Sequence, residues 1–334
     1  MWFEGLTGFR EQHPEQVRAN LFVDGETMVS RVNSSSMRHG QLETPPLAEL
    51  RAEMQSADLP KGSLILSEVV ADVQALHADA TNGGALFQVA SQFNLLEMVH
   101  PAVTPERGVG IYEQDLTQGP ACAIACGAGT IYRNYFAEVN GRTGQSADNQ
   151  IDCLHDLGIA LGNTEGQLWT MQNGYALATA EGLATISRRL SEADESERDR
   201  LRGLLRIGLQ WNTQVTVGDA AHTVSQAYCS ALPVSYSPHA AQLWADFAKF
   251  VLEGSYEATF CAAAANFAHT GNNKVFLTLL GGGAFGNEDD WILGAIHRAL
   301  DSFAHVDLDV SIVSYGASNP LVRQLVADVS GSGL

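Results

Sequence analysis

The sequence lacks the residue patterns that mark several common catalytic and binding centres. Its five cysteines, Cys122, Cys126, Cys153, Cys229 and Cys261, are odd in number and contain no Cys-x-x-Cys pair, which argues against a disulfide framework or structural zinc and for small apolar core residues. Among ten histidines there is no His-x-x-x-His pair, so zinc hydrolysis has little support and His77, His155 and His222 read as core or surface histidines. Neither Ser230 nor Ser314 sits in a Gly-x-Ser-x-Gly elbow, which argues against a serine hydrolase. Basic residues are scarce: 19 Lys and Arg against 38 Asp and Glu give a formal charge of −19, and such a chain presents no broad surface for nucleic acid. No apolar run approaches the roughly 20 residues of a membrane span; the Ala-rich stretch 260–267 is short and interrupted by Asn266. Met1-Trp-Phe-Glu-Gly carries neither the basic nor the apolar part of a secretory leader, which makes the cytoplasm the expected location.

What is present is the composition of a globular α/β chain. At 334 residues, 45% hydrophobic and 17% charged, it buries a large core as one large domain or two ordinary ones. An extension to about residue 60 holds a hairpin over Leu21 to Arg31 with an Asp24-Gly25 turn, then a helix after Pro45-Pro46. Strand patterns follow at 64–70, 85–90, 213–217, 224–232, 275–280 and 308–313. They alternate with helical patterns at 120–136, 147–160, 180–190, 195–205, 241–267 and 290–303, which predicts a layered α/β sheet. Opposite charges at helical spacing over 188–206 read as a solvated face. Asp148, Asp152 and Asp156 would share one face of the 147–160 helix; a solvated face is the simpler reading than a metal site.

The most informative segment is Lys274-Val-Phe-Leu-Thr-Leu-Leu280 running into Gly281-Gly-Gly-Ala-Phe-Gly-Asn287 before a helix. A buried strand ending in glycines before a helix lets the backbone wrap a ligand, with amides and the helix dipole favouring phosphate. No Gly-Lys-Ser/Thr follows, and the spacing is not Gly-x-Gly-x-x-Gly with an acid about twenty residues on, so neither an NTPase nor a dehydrogenase is indicated. A second constellation places Asp72, followed by Val73, at one strand end and Asn94 beyond the next. A carboxylate there can accept from an exocyclic amine, and an amide can bind ribose hydroxyls, though each residue also serves as an ordinary turn or cap. A third is the loop Pro105 to Pro120. Glu113 and Asp115 lie two apart before a helix, close enough for shared charge to push one pKa up into acid/base range. Glu97, three residues after Asn94, is a further candidate, and Tyr112 and Gln118 could position a sugar. Glu113 and Asp115 could equally be first-turn caps.

Taken in order, Val-Ala-Asp72-Val, Gln-Val-Ala-Ser-Gln-Phe-Asn94, Leu-Leu-Gly281-Gly-Gly-Ala-Phe-Gly286-Asn and Val310-Ser-Ile-Val-Ser-Tyr315-Gly resemble the macrodomain superfamily over most of 62–316. The resemblance implies a three-layer α/β/α fold with a mixed central sheet, elaborated by the extension 1–60 and a helical insertion at about 139–219 within a domain 61–334. It implies Asp72 at adenine, Gly281, Gly282, Gly283, Ala284, Phe285, Gly286 and Asn287 around a diphosphate, Asn94 at the distal ribose and Tyr315 stacked near the adenosine. The sequence departs from the family's usual Asn-Ala-Ala-Asn, standing as Ala90-Ser-Gln-Phe-Asn94, and lacks its Gly-Gly-Gly-Val loop. In that place Asn94-Leu-Leu-Glu97-Met and Tyr112-Glu113-x-Asp115-x-x-Gln118-Gly-Pro120 look like the arginine-specific ADP-ribosylhydrolase branch, related to poly(ADP-ribose) glycohydrolases. That branch implies removal of ADP-ribose from arginine side chains of proteins, ubiquitin among them. For such a cleavage, which needs a carboxylate near the ring and a base for water, Glu113, Asp115 and Glu97 are the expected catalytic residues, with no metal and no redox cofactor expected. The alternatives are a non-catalytic reader of ADP-ribose or of ADP-ribosylated protein, and a hydrolase of a soluble ADP-ribose derivative.

Overall fold

A computed structural model describes residues 1–56 and 62–332; the expected boundary near residue 60 lies outside the described residues. Seven strands form one mixed sheet in the order Gln41–Glu43, Gly208–Gln214, Thr223–Cys229, Leu86–Ala90, Lys274–Leu277, Asp309–Ser314, Ile65–Val70. The last five are mutually parallel, and the first two are added antiparallel. The carboxyl ends of the five parallel strands therefore lie along one edge in a fixed order, the arrangement in which α/β sheets bind ligands.

Alternation along Leu86–Ala90 defines the layers. Phe87 stacks on His77 of the helix Val73–Ala78, with ring centroids 3.8 Å apart, while its neighbour Gln88 donates to the Thr259 hydroxyl of the helix Ala241–Thr270 on the opposite face, at 2.9 Å. Successive side chains of a strand point to opposite faces, so both faces are covered and the architecture is the expected three-layer α/β/α sandwich. His77 is buried with Nδ1 on the Val73 carbonyl, and burial lowers its pKa to about 4; it is a neutral core histidine at pH 7. All five cysteines are buried free thiols. No described helix is long and apolar enough to cross a membrane.

Most elements fall where periodicity places them, and the departures have local causes. The hairpin pairs Leu21–Asp24 with Thr27–Ser30, and the helix after the two prolines spans Leu47–Ser56. The strand expected at 213–217 is instead Gly208–Gln214. A bulge between Gln210 and Thr213, with Asn212 at φ 51°, breaks the two-residue alternation there. That strand belongs to the central sheet although it falls in the span assigned to the insertion, and Gln41–Glu43 of the extension is the sheet's edge. The sheet is thus built from all three expected parts of the chain.

The helix expected over 120–136 is two, Gln118–Ala125 and Gly127–Tyr135, broken where Cys126 adopts φ −118° and ψ 59°, so Cys122 and Cys126 share no continuous helix face. Of 147–160 only His155–Ala160 is helical. Asp148 accepts from Arg142 and Ser146, Asp152 caps Leu154, and Asp156 pairs with Arg206, so the three acids form no helical stripe. Nor is 188–206 simply a solvated face: Arg202 is buried and bridges Glu195, Asp199 and Glu253.

Candidate active site

A cavity of about 640 Å³ opens along the carboxyl ends of all five parallel strands. Asp72 and Val73 follow Ile65–Val70 at the sheet edge, and Tyr315 ends the neighbouring strand. Gly281, Gly283, Ala284 and Phe285 follow Lys274–Leu277 in the middle. Ser91, Gln92 and Glu97 follow Leu86–Ala90, and Ala231 and Tyr236 follow Thr223–Cys229. Three inter-strand steps of about 4.8 Å separate the Asp72 end from the Glu97 end by roughly 14 Å, which suits an elongated, dinucleotide-sized ligand.

At the first end Asp72 has two functions. Its Oδ1 caps the helix Val73–Ala78, accepting from Gln74 N–H at 2.7 Å and Ala75 N–H at 3.4 Å. Oδ2 has no partner among the described residues, and the residue lines the cavity. Val73 is buried in the wall, while Tyr315 is 80% exposed at the rim, a flat ring open to stacking.

In the middle, the strand before the glycine loop is shorter than periodicity suggested. Tyr256 ends it, its hydroxyl donating to the Thr278 carbonyl and accepting from Leu280 N–H. Gly281 and Gly286 adopt φ of 76° and 68°, conformations that glycine enters without Cβ strain. The loop closes through Gly286 N–H to Gly283 C=O and Asn287 N–H to Gly281 C=O. The amides of Gly283, Ala284 and Phe285 have no acceptor among the described residues, leaving three donors in the wall for an anionic group. Gly282, Gly286 and Asn287 stand behind it; Asn287 ties the loop to the Leu232 carbonyl at 2.8 Å. The helix dipole is not the attractor the sequence suggested, because the helix begins only at Asp289 and carries Glu288, Asp289 and Asp290 at its start, carboxylates that already complement its N-terminal field.

A Cβ at Gly286 would run into the Ser235 hydroxyl. Gly286→Val is therefore expected to cost about 1–3 kcal/mol in stability from strain at positive φ and to displace the loop, a loss read as a lowered Tm. An unchanged Tm would mean that the loop accommodates the side chain without strain.

At the far end the sheet splays. Lys274–Leu277 pairs with Leu86–Ala90 only at Leu86 and Phe87. Beyond them the Gln118 side chain takes the ladder positions, accepting from Ala90 N–H at 2.9 Å and donating to Gln88 C=O at 2.8 Å. Gln118 lines the cavity, but its amide is spent on the strand end rather than on a sugar. Gly119 beside it packs so closely that a Cβ would overlap the Ala90 carbonyl and Glu97 Oε2, which brings the helix Gln118–Ala125 directly against the strand end.

Glu97 is the most perturbed acid of the site. It is 2% exposed, lines the cavity and has an Oε1 with no hydrogen-bond partner. Burial raises its pKa well above the ordinary carboxylate value; the Ser91 hydroxyl and Arg133 pull it down, and the charge of Asp115 adds to the rise. The loop that holds it is strained: Leu95 sits at φ 64°, an outlier for a bulky side chain. Arg133 Nε donates to the Leu95 carbonyl at 3.2 Å while its guanidinium lies 3.7 Å over the Tyr228 ring. Glu113 is exposed and accepts from the Trp2 amide at 3.3 Å, and Asp115 accepts from Thr117 N–H at 2.9 Å. Both line the same cavity as Glu97.

Two sequence candidates are placed differently. Asn94 is buried off the cavity wall, its Nδ2 donating to Gln150 and its Oδ1 accepting from Leu96 N–H. It braces the Glu97 loop, and the ribose-facing assignment is replaced by that role. Tyr112 is likewise behind the wall, where its hydroxyl accepts from Glu97 N–H at 2.9 Å. Residues that sequence reasoning missed reach the wall from distant segments. Trp2 comes from the extension, and Tyr236 packs with Phe285 and with Tyr175 of the insertion, at centroid distances of 5.6 and 5.0 Å. The sequence signal nearest to any of them is the turn-forming pair Asn173-Gly174 before Tyr175. Among the described lining residues there are four carboxylates, Asp72, Glu97, Glu113 and Asp115, and no lysine, arginine or histidine.

The chain matches no protein-family model and no curated protein sequence. Its course is similar to solved bacterial poly(ADP-ribose) glycohydrolases. The Thermomonospora curvata enzyme bound to the inhibitor ADP-HPD is 9% identical with a TM-score of 0.45, over 95% of each chain. The Deinococcus radiodurans enzyme in complex with ADP-ribose is 11% identical with a TM-score of 0.45, over 88% of this chain and 95% of that one. Identities and scores this low transfer neither residue roles nor activity.

Proposed function

We propose that the protein is an ADP-ribosylhydrolase that removes ADP-ribose from arginine side chains of modified proteins. The observation that carries this reading is the order of groups along the strand ends: an acid and an open aromatic ring, then unpaired loop amides, then three carboxylates with no cation lining the cavity. Adenine, diphosphate and distal ribose fit that order. The acidic end then suits a leaving group that is itself cationic, which a guanidinium is and an ester or hydroxyl is not.

Hydrolysis of the bond between the anomeric carbon and the guanidine nitrogen passes through an oxocarbenium-like state that neighbouring carboxylate stabilises. Glu97, whose burial favours the protonated form, gives its proton to the departing guanidine nitrogen as the C–N bond breaks. Glu113 or Asp115 accepts a proton from the water whose oxygen forms the new bond to the anomeric carbon. A buried carboxyl beside more exposed carboxylates lets one site offer both an acid and a base.

The test is release of free ADP-ribose, followed by mass spectrometry, from matched proteins modified on arginine, on glutamate or aspartate, and on serine, with poly(ADP-ribose) alongside. Release from arginine alone is expected. Release only from an ester, from serine or from the polymer would overturn the arginine assignment, and binding of ADP-ribose without any release would identify a reader.

A further inference from the structure

We infer that Glu11, far from the acidic loop in sequence, is the positioning residue of the candidate active site: it clamps the turn that aims Glu113, Asp115 and Glu97 at the cavity. This inference rests on the proposed function only in what the three acids do, since the clamp itself is read from geometry.

The turn is the 3₁₀ segment Gly110–Gln114. Such a turn leaves its first amides without internal acceptors, and here no side chain of the turn's own flank caps them. The Glu11 carboxylate accepts from Val109 N–H at 3.0 Å with Oε1 and from Gly110 N–H at 2.6 Å with Oε2. Oε1 also accepts from the Tyr135 hydroxyl at 2.7 Å, which ties the clamp to the helix that carries Arg133. Gly108 and Gly110 close around the carboxylate, where a Cβ would come within 2.5 and 2.7 Å of Oε2.

From this anchor the turn distributes three side chains. Tyr112 points inward, and its hydroxyl receives the Glu97 amide. Glu113 points outward to the cavity, where the amide of Trp2 steadies it. Asp115 ends the turn, its own amide donating to the Tyr112 carbonyl. A shift of the first residue of the turn therefore moves all three acids together, and a displacement of about 1 Å in a reacting group costs on the order of 10²-fold in rate. A Glu11 that merely held the fold together would have no reason to act on turnover apart from binding.

The experiment compares Glu11→Gln, which keeps one acceptor oxygen and the volume, with Glu11→Ala in the full chain. Three quantities are read: amide hydrogen exchange over 105–118, ADP-ribose affinity by calorimetry, and kcat and KM on arginine-ADP-ribosylated protein. Expected are faster exchange confined to the 105–118 segment, affinity within about threefold of wild type, and a kcat lowered about tenfold in the Gln variant and on the order of 10²-fold in the Ala variant. Unchanged exchange and kcat in Glu11→Ala would overturn the clamp. So would exchange that rises across the whole chain with loss of ADP-ribose binding, the mark of a purely structural residue. If the wild-type protein releases ADP-ribose from no substrate, the functional reading fails by itself. Exchange confined to the acidic turn then still supports the clamp, and its absence overturns it.

Discussion

Glu97→Gln is expected to lower turnover by about 10²- to 10⁴-fold, the range for loss of a positioned general acid, while making the folded protein more stable at alkaline pH. Both effects follow from one fact, the burial of a carboxyl whose Oε1 has no partner. Because burial raises the folded-state pKa above 4.5, the native state binds this proton more tightly than the unfolded chain does. The associated stability is fully present below the unfolded pKa and is lost as pH rises through the folded one. Glutamine has the same shape and never ionises, so the Tm gain over wild type appears above the Glu97 titration and vanishes below it. Melting curves between pH 5 and pH 9, run beside kcat at each pH, check this. A Tm difference that does not change with pH would show that Glu97 titrates normally and would remove it as the acid. Glu11 and Asp152 are also raised chiefly by burial, so the Glu97→Gln variant is still expected to lose stability with rising pH, but less steeply than the wild type.

The second large effect is expected of the double variant Glu113→Gln, Asp115→Asn. Both residues line the cavity at the end away from Asp72, and neither is buried as Glu97 is. Removing two negative charges near an anionic ligand leaves ADP-ribose affinity within about threefold or strengthens it, because like-charge repulsion is relieved. Turnover of arginine-linked substrate is expected to fall by about 10²-fold or more through loss of the water-activating base. KM for the modified protein should rise as well if these carboxylates hold the guanidinium, whereas a hydrolase of a soluble derivative would show no such rise. A double variant that turns over at the wild-type rate would end the assignment of the base to this loop. The single variants separate the two acids: Asp115 also caps Thr117, so Asp115→Asn, which keeps an acceptor oxygen, isolates the charge from the turn.

Local sequence carried most of the sheet. The strands Ile65–Val70, Leu86–Ala90, Thr223–Cys229 and Asp309–Ser314 and the helices Ala180–Glu192, Ala241–Thr270 and Asp289–Phe303 lie within a few residues of their periodic patterns, because their apolar residues recur at the spacing of their element, even in the edge strand Ile65–Val70, of which only Leu66 is buried. The glycine loop was legible for a similar reason, since only glycine enters its two positive-φ positions without Cβ strain. Where the reading slipped, the cause was a bulge at Asn212, a break at Cys126, or side chains standing in for a ladder, as Gln118 and Tyr256 do. None of these has a periodic signature.

The sequence by itself determined the chemistry available: a glycine loop that offers amides, three acids within nineteen residues at Glu97, Glu113 and Asp115, and a −19 chain with few cations to place among them. Tertiary structure decided which of those groups work together and in what protonation state. Burial is a sum over neighbours from separate segments, so Glu97 owes its raised pKa to packing from Gly119 and the strand end that its local sequence does not record. Asn94 and Tyr112 were turned from ligand contacts into braces by partners at Gln150 and at the Glu97 amide. Trp2, Tyr175 and Tyr236 entered the site only because chain folding brought the extension, the insertion and the loop after Thr223–Cys229 to one end of the sheet. Hydrogen bonds and desolvation act through space, and sequence spacing records only the contacts that lie along the chain.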